Sequence, residues 1–118
     1  MTTETGQLAE QKALDYLLKQ GLTYVSRNYH CRLGEIDLIM KDKDYLVFIE
    51  VRSRTNQQFG DGAASITYAK RQKIIKTTSF YLLKHKLCDT HPIRFDVVSI
   101  DGKSGTINWL KDAFSSDY

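Results

Sequence analysis

At 118 residues the chain fits one domain, and a domain of that size buries roughly two-thirds of its unfolded surface, enough for a core without staples. Hydrophobic residues make up 42% and charged residues 26%, with a single proline, which excludes the low-hydrophobicity, high-charge composition of a disordered chain. The net charge of +3 names no partner by itself, but no acidic residue stands between Asp61 and Asp89, where Lys70, Arg71, Lys73, Lys76, Lys84 and Lys86 contribute +6.

The N-terminus carries no basic stretch followed by an apolar run, and the longest purely apolar stretch is Leu46 to Ile49. Neither a secretory leader nor a membrane span is expected from that pattern. Cys31 and Cys88 are too few and too far apart for a disulfide framework, which points to reduced thiols in a cytoplasmic protein. A zinc site drawing on His30, Cys31, Cys88 and His91 lacks the usual two-ligand knuckle on either side, and unpaired buried thiols are commonplace.

The first periodic segment runs from about Gln7 to Gln20, with Ala13, Leu14, Leu17 and Leu18 on one face and Gly21 as a stop, the pattern of an amphipathic helix. Leu22 to Tyr29 reads as a strand, followed by a polar bend through His30, Cys31 and Arg32. Glu35 to Met40 and Tyr45 to Arg52 read as two stronger strands of an antiparallel hairpin, separated by the turn-forming run from Lys41 to Asp44. Thr55 to Gly62 reads as a loop. A helix follows from about Ser65 to Lys86, with Ile74, Ile75, Thr78, Tyr81 and Leu82 as its stripe. Ile93 to Ile100 alternates as a strand does, Asp101 and Gly102 turn, and Thr106 to Leu110 can pair back on it. The expectation is a single α/β domain over residues 1–118, a mixed sheet with flanking helices in the order αβββαββ.

Strand alternation carries the chemical argument. Glu35 and Asp37 fall on the face opposite Ile36, Leu38 and Met40, while Leu46, Phe48, Glu50 and Arg52 oppose Val47, Ile49 and Val51. If the two apolar sets cover one helix, the acidic sets emerge together on the other side. A two-residue turn at Asp42 and Lys43 places Glu35 opposite Glu50 with Asp37 diagonal; a four-residue turn places Asp37 opposite Glu50. In either register carboxylates gather within cross-strand reach, where like charges repel unless a cation intervenes. Mg²⁺ or Mn²⁺ held by Asp37, Glu50 and the Val51 carbonyl answers that problem, since hard ions take oxygen ligands and keep several waters. Glu35 alone reads as an ordinary solvent-facing charge. Glu50 does not, because its strand is apolar on both faces and an unpaired buried carboxylate is costly.

Glu10 stands three, four, seven and eight residues before Ala13, Leu14, Leu17 and Leu18, which puts it on the buried stripe of the first helix. It fits either a first-turn carboxylate favoured by the helix dipole or an extra metal ligand. Lys70 and Arg71 precede Ile74 and Ile75 by one turn and share their inward face, as candidates for phosphate contacts; Lys73, Lys76 and Lys84 fall on the outer face.

Gly34 to Ile39, Phe48 to Arg54 and Arg94 to Val98 together resemble the YraN family of bacterial proteins, with the order and spacing of the motifs intact from Glu10 through Ile100. That family is similar to the PD-(D/E)XK nucleases, especially archaeal Holliday junction resolvases. The resemblance implies a restriction-endonuclease-like core and metal-dependent hydrolysis of phosphodiester bonds in DNA, branched or flapped DNA included. By the same analogy it implies a homodimer. It implies Asp37 as the motif aspartate, Glu50 as the acidic residue of the E-x-K element, Glu10 as the helix glutamate and Lys70 as the helical lysine. Where those nucleases carry the E-x-K lysine, this chain has Arg52. Arginine stays charged and cannot be the base that activates water, although it can orient a phosphate or stabilise transition-state charge. The departure also admits a nucleic-acid-binding module that keeps the fold without turnover.

Overall fold

The computed structural model describes residues 4–54 and 66–115. The elements run α1 (Glu4–Lys19), β1 (Thr23–Cys31), β2 (Gly34–Asp42), β3 (Tyr45–Arg54), α2 (Tyr68–Lys84), β4 (Ile93–Asp101) and β5 (Ile107–Phe114). This is the expected αβββαββ order in a single α/β domain. The five strands form one mixed sheet in sequential order, antiparallel except for the parallel pair β3 and β4 that α2 connects. The loop expected over Thr55 to Gly62, and Ser65 at the head of the second helix, lie outside the described residues.

α1 ends as its sequence requires. Gly21 takes a φ of 100°, the Gly21 N–H bonds the Leu18 carbonyl and the Leu22 N–H bonds that of Leu17. This is a Schellman closure, and its hydrophobic contact is present because Leu17 and Leu22 are buried in one cluster. Leu18, expected on the buried stripe, is 44% exposed instead, and Ala9 takes its place in the core. The stripe begins a turn earlier than the leucines suggest.

The sheet is covered on both faces. Ala9, Ala13, Leu14 and Leu17 of α1 pack on Leu38, Met40, Val47, Ile49, Val98 and Ile100. Ile74 and Tyr81 of α2 pack on Ile36, Ile39, Leu46, Phe48, Phe95 and Val97. Thr77 and Thr78 complete the buried face of α2, whereas Ile75 and Leu82 are half-buried. The hairpin is thus no half-exposed sheet.

Two details of the hairpin differ from expectation. The turn is two residues long but sits at Lys43 and Asp44, with Lys43 at a φ of 56°, so Asp42 pairs with Tyr45 and Leu38 with Ile49. Continued, that register sets Asp37 opposite Glu50. Ile36, expected beside Leu38, lies in the α2 cluster instead. Between the two, Asp37 accepts the Val51 N–H on its carboxylate at 2.8 Å. The pairing with β1 keeps one register here, Arg27 opposite Leu38 and Tyr29 opposite Ile36, although Ile36 and Leu38 serve opposite faces of the sheet. β1 also runs on through His30 and Cys31, so the bend shrinks to Arg32 and Leu33.

Candidate active site

The site lies at one end of the β2–β3 pair, between the two helices. β3 is buried throughout its centre, which brings Glu50 to 7% exposure. β2 delivers Asp37 half-buried beside it. The N-cap Thr67 accepts the Lys70 N–H at 3.1 Å and fixes the start of α2, from which Lys70 Nζ reaches Glu50 Oε2 at 3.0 Å. Glu10, 6% exposed on α1, closes the group from the other layer. The fold thus brings Lys70 to Glu50 and sets Asp37 beside both Glu50 and Glu10.

The electrostatics are those of crowded carboxylates. Burial, and then the Glu50 charge, push the Asp37 carboxyl up to about 8, against the pull of the Val51 N–H; Glu10 adds to the rise. Burial also raises Glu10, countered by the Arg27 charge and by a hydrogen bond with Asp37. Glu10 Oε1 is buried with no hydrogen-bond partner among the described residues, a costly arrangement unless something else satisfies it.

Among the described residues no three Asp, Glu, His or Cys side chains converge closely enough to hold a metal ion. Glu10 neighbours Asp37, and the carboxylates paired across the two strands are Asp37 and Glu50. Asp37 and Glu50 with one main-chain carbonyl and waters still match what a hard divalent cation asks for. Val51 touches the pair through its N–H.

The cationic residues separate. Arg52 follows Glu50 by two positions and shares its face of β3, half-buried. Arg71 is half-buried on α2. Lys73 is not on the far side of the helix, as its spacing suggests. It lines a groove of about 810 Å³ with Lys70, His30, Asn28, Glu35 and Thr67, because Gly34 brings the β1–β2 turn against α2 at this level. A Cβ on Gly34 would stand 2.8 Å from Thr77 Oγ1, at a φ of 155°.

The cysteine and histidine residues do not form a centre. Cys31 and Cys88 are free thiols, His30 Nδ1 meets the Asn28 carbonyl at 3.1 Å and His91 Nδ1 meets Thr90 Oγ1 at 2.9 Å.

Sequence reasoning missed one buried polar centre. Asp96 on β4 is fully buried and accepts from Arg94 Nε and Nη2, Trp109 Nε1 and the Asp112 N–H at 2.9–3.0 Å. Arg94 also reaches Asp42 at 3.0 Å. The signal in the sequence is Arg94 and Asp96 two apart on one strand, which places them on one face. With every acceptor site engaged, this network is structural.

No helix among the described residues is long and apolar enough to cross a membrane. Relatives at high identity span nearly the whole chain. A UPF0102 protein of Legionella pneumophila strain Corby is 65% identical over 98% of this chain and 98% of its own length. One from Nitrosococcus oceani is 50% identical over 94% of this chain and 91% of the relative. A solved structure, Pyrococcus furiosus SfsA in complex with Ca²⁺, aligns at 13% identity and a TM-score of 0.36, covering 90% of this chain and 62% of that one. That likeness is too distant to carry a functional argument. Residues 9–100 match the Uncharacterised protein family UPF0102, and the chain belongs to that family.

Proposed function

We propose that the protein is a metal-dependent phosphodiesterase acting on nucleic acid, DNA in the first instance, with branched or flapped DNA as the leading substrates. The observation that carries this reading is the pairing of Asp37 with Glu50 at the foot of a helix that supplies Lys70. An ordinary structural ion pair does not need two crowded carboxylates, and a buried acid shifted by a specific charge partner, with Lys70 linking it to the neighbouring groove, is a functional-site candidate. Asp37, Glu50 and the Val51 carbonyl would hold Mg²⁺ or Mn²⁺. When bound, the ion supplies a water acidic enough to attack at neutral pH and draws charge from the phosphoryl oxygens.

The protein groups have separate tasks. Asp37, once it gives up its proton, and Glu50 would bring two negative charges to one point. Arg52, always protonated, braces the scissile phosphate and takes no proton. Lys70 and Arg71 contact the nucleic-acid backbone from α2, and Glu10 orients Asp37 from behind. The order of motifs from Glu10 through Arg52 supports kinship with the PD-(D/E)XK nucleases, with arginine in the lysine position as the departure.

That arginine favours a second reading, a nucleic-acid-binding module without turnover. Purified protein incubated with Mn²⁺ and a panel of duplex, flap and four-way-junction DNA separates the two. Cleavage lost in Asp37→Asn and Glu50→Gln supports the enzyme. Binding to branched DNA with no cleavage, no metal uptake by calorimetry and no effect of either substitution selects the module.

A further inference from the structure

Lys70 belongs to two places at once. Its ammonium is 3.0 Å from Glu50 Oε2, yet its side chain is 46% exposed while that of Glu50 is 8% exposed. It also lines the groove that Lys73 enters one turn further along α2. Its main chain is held by the Thr67 cap, so only the flexible four-carbon stem has to move to carry the charge from Glu50 into the groove. A half-exposed ion pair is a weak tie, and a cation arriving at Glu50 competes for the oxygen that Lys70 holds. Lys70 and Lys73, three residues apart on a helix, then present neighbouring charges along one wall.

We infer that Lys70 is a shuttle, neutralising Glu50 while the metal position is empty and passing to a phosphodiester in the groove when a divalent cation takes Glu50. This rests on the function proposed above and adds to it a consequence. Metal and nucleic acid bind with positive coupling, because each removes the partner that the other must displace. Lys70 contacts the substrate directly in this scheme, and its charge is the element that the two sites share.

The test can be run without metal. In EDTA, wild type, Glu50→Gln, Lys70→Met and the double variant are titrated against a short fluorescein-labelled duplex at several salt concentrations. Glu50→Gln frees Lys70 and is expected to bind several-fold more tightly than wild type, with a salt slope steeper by about 0.9, the signature of one added phosphate contact. The double variant is expected to lose that gain. In parallel, Mn²⁺ calorimetry on Lys70→Met, with no nucleic acid present, is expected to give affinity at least about threefold tighter than wild type, since a competing ammonium has gone.

An unchanged affinity in Glu50→Gln, a gain that survives in the double variant, or unaltered Mn²⁺ affinity in Lys70→Met would each overturn the shuttle. If wild type nonetheless cleaves DNA with Mn²⁺, the enzyme reading stands and only the shuttle falls. A folded wild type that binds no duplex at low salt overturns both.

Discussion

The Val51 N–H donates to Asp37 Oδ2 across 2.8 Å, and in doing so it takes an aspartate that strand alternation would aim at α2 and lays it within the sheet. Held there, Asp37 interacts with Glu50 on one side and Glu10 on the other. On either side of Asp37, Ile36 and Leu38 serve different cores.

The first prediction concerns stability against pH. Asp37 is pushed up to about 8 in the folded protein, from 3.8 ordinarily. Between those values the folded protein keeps a proton that the unfolded chain has released. Its contribution to stability is therefore full below about pH 4 and is lost as pH rises through about 8, with a slope of at most about 1.4 kcal/mol per pH unit. Urea unfolding in EDTA from pH 5 to 9 should show this fall, and Asp37→Asn should flatten it. Parallel curves for the two proteins would remove the buried proton from the account.

The second prediction concerns the metal. Binding at Asp37 requires the same proton to leave, so Mn²⁺ affinity should weaken by about tenfold for each pH unit below about 8. Calorimetry in two buffers of different ionisation enthalpy would count the proton released. Asp37→Asn and Glu50→Gln should each abolish measurable uptake and reduce any Mn²⁺-dependent cleavage by at least about a hundredfold, or about 2.7 kcal/mol of lost charge stabilisation. Uptake that persists in both variants places the ion elsewhere.

Much of this was legible in the sequence because it follows from periodicity. The buried stripe of α1 carried Glu10 inward with Ala13, Leu14 and Leu17, and the alternation of β3 separated Glu50 from Val51. The register of the hairpin was not legible, since Asp42-Lys43 and Lys43-Asp44 are equally good turns and one step between them decides whether Glu35 or Asp37 faces Glu50. The change of face between Ile36 and Leu38 was hidden too, because apolar residues two apart on a strand read as one face. Asp96 escaped because its partners Trp109 and Asp112 lie on another strand, 13 and 16 residues away, and long-range polar pairing has no local signal.

The third prediction tests the wall of the groove. Gly34 combines a φ of 155° with a Cβ position 2.8 Å from Thr77 Oγ1, and Thr77 is fixed by its own bond to the Lys73 carbonyl at 2.8 Å. Gly34→Ala should destabilise the fold by about 1–3 kcal/mol. Because Lys73 sits on the element being pushed, duplex binding at low salt should weaken even at temperatures where the variant is folded. A stable Gly34→Ala protein with unchanged binding would show that the turn and α2 do not depend on this approach.

The fourth prediction separates the two buried acidic centres. Asp96 accepts from Arg94, Trp109 and Asp112 at once. Replacing it with asparagine therefore points an amide N–H₂ at a donor whichever way the side chain is turned. Arg94 also loses its closer carboxylate, although Asp42 remains at 3.0 Å. Asp96→Asn should cost about 3–5 kcal/mol, the usual consequence of removing one partner of a buried pair. Trp109→Phe, which removes one donor to the charged group and part of a ring packed against Tyr16, should cost at least about 1.5–3 kcal/mol. Neither residue touches Asp37, Glu50 or Lys70. At a temperature where Asp96→Asn remains folded, its Mn²⁺ affinity should equal that of wild type, the reverse of what Asp37→Asn should give. A loss of metal affinity in folded Asp96→Asn would mean that the network beneath β4 sets the geometry of the carboxylate pair through Asp96 and its β3 neighbour Ile49, one position from Glu50.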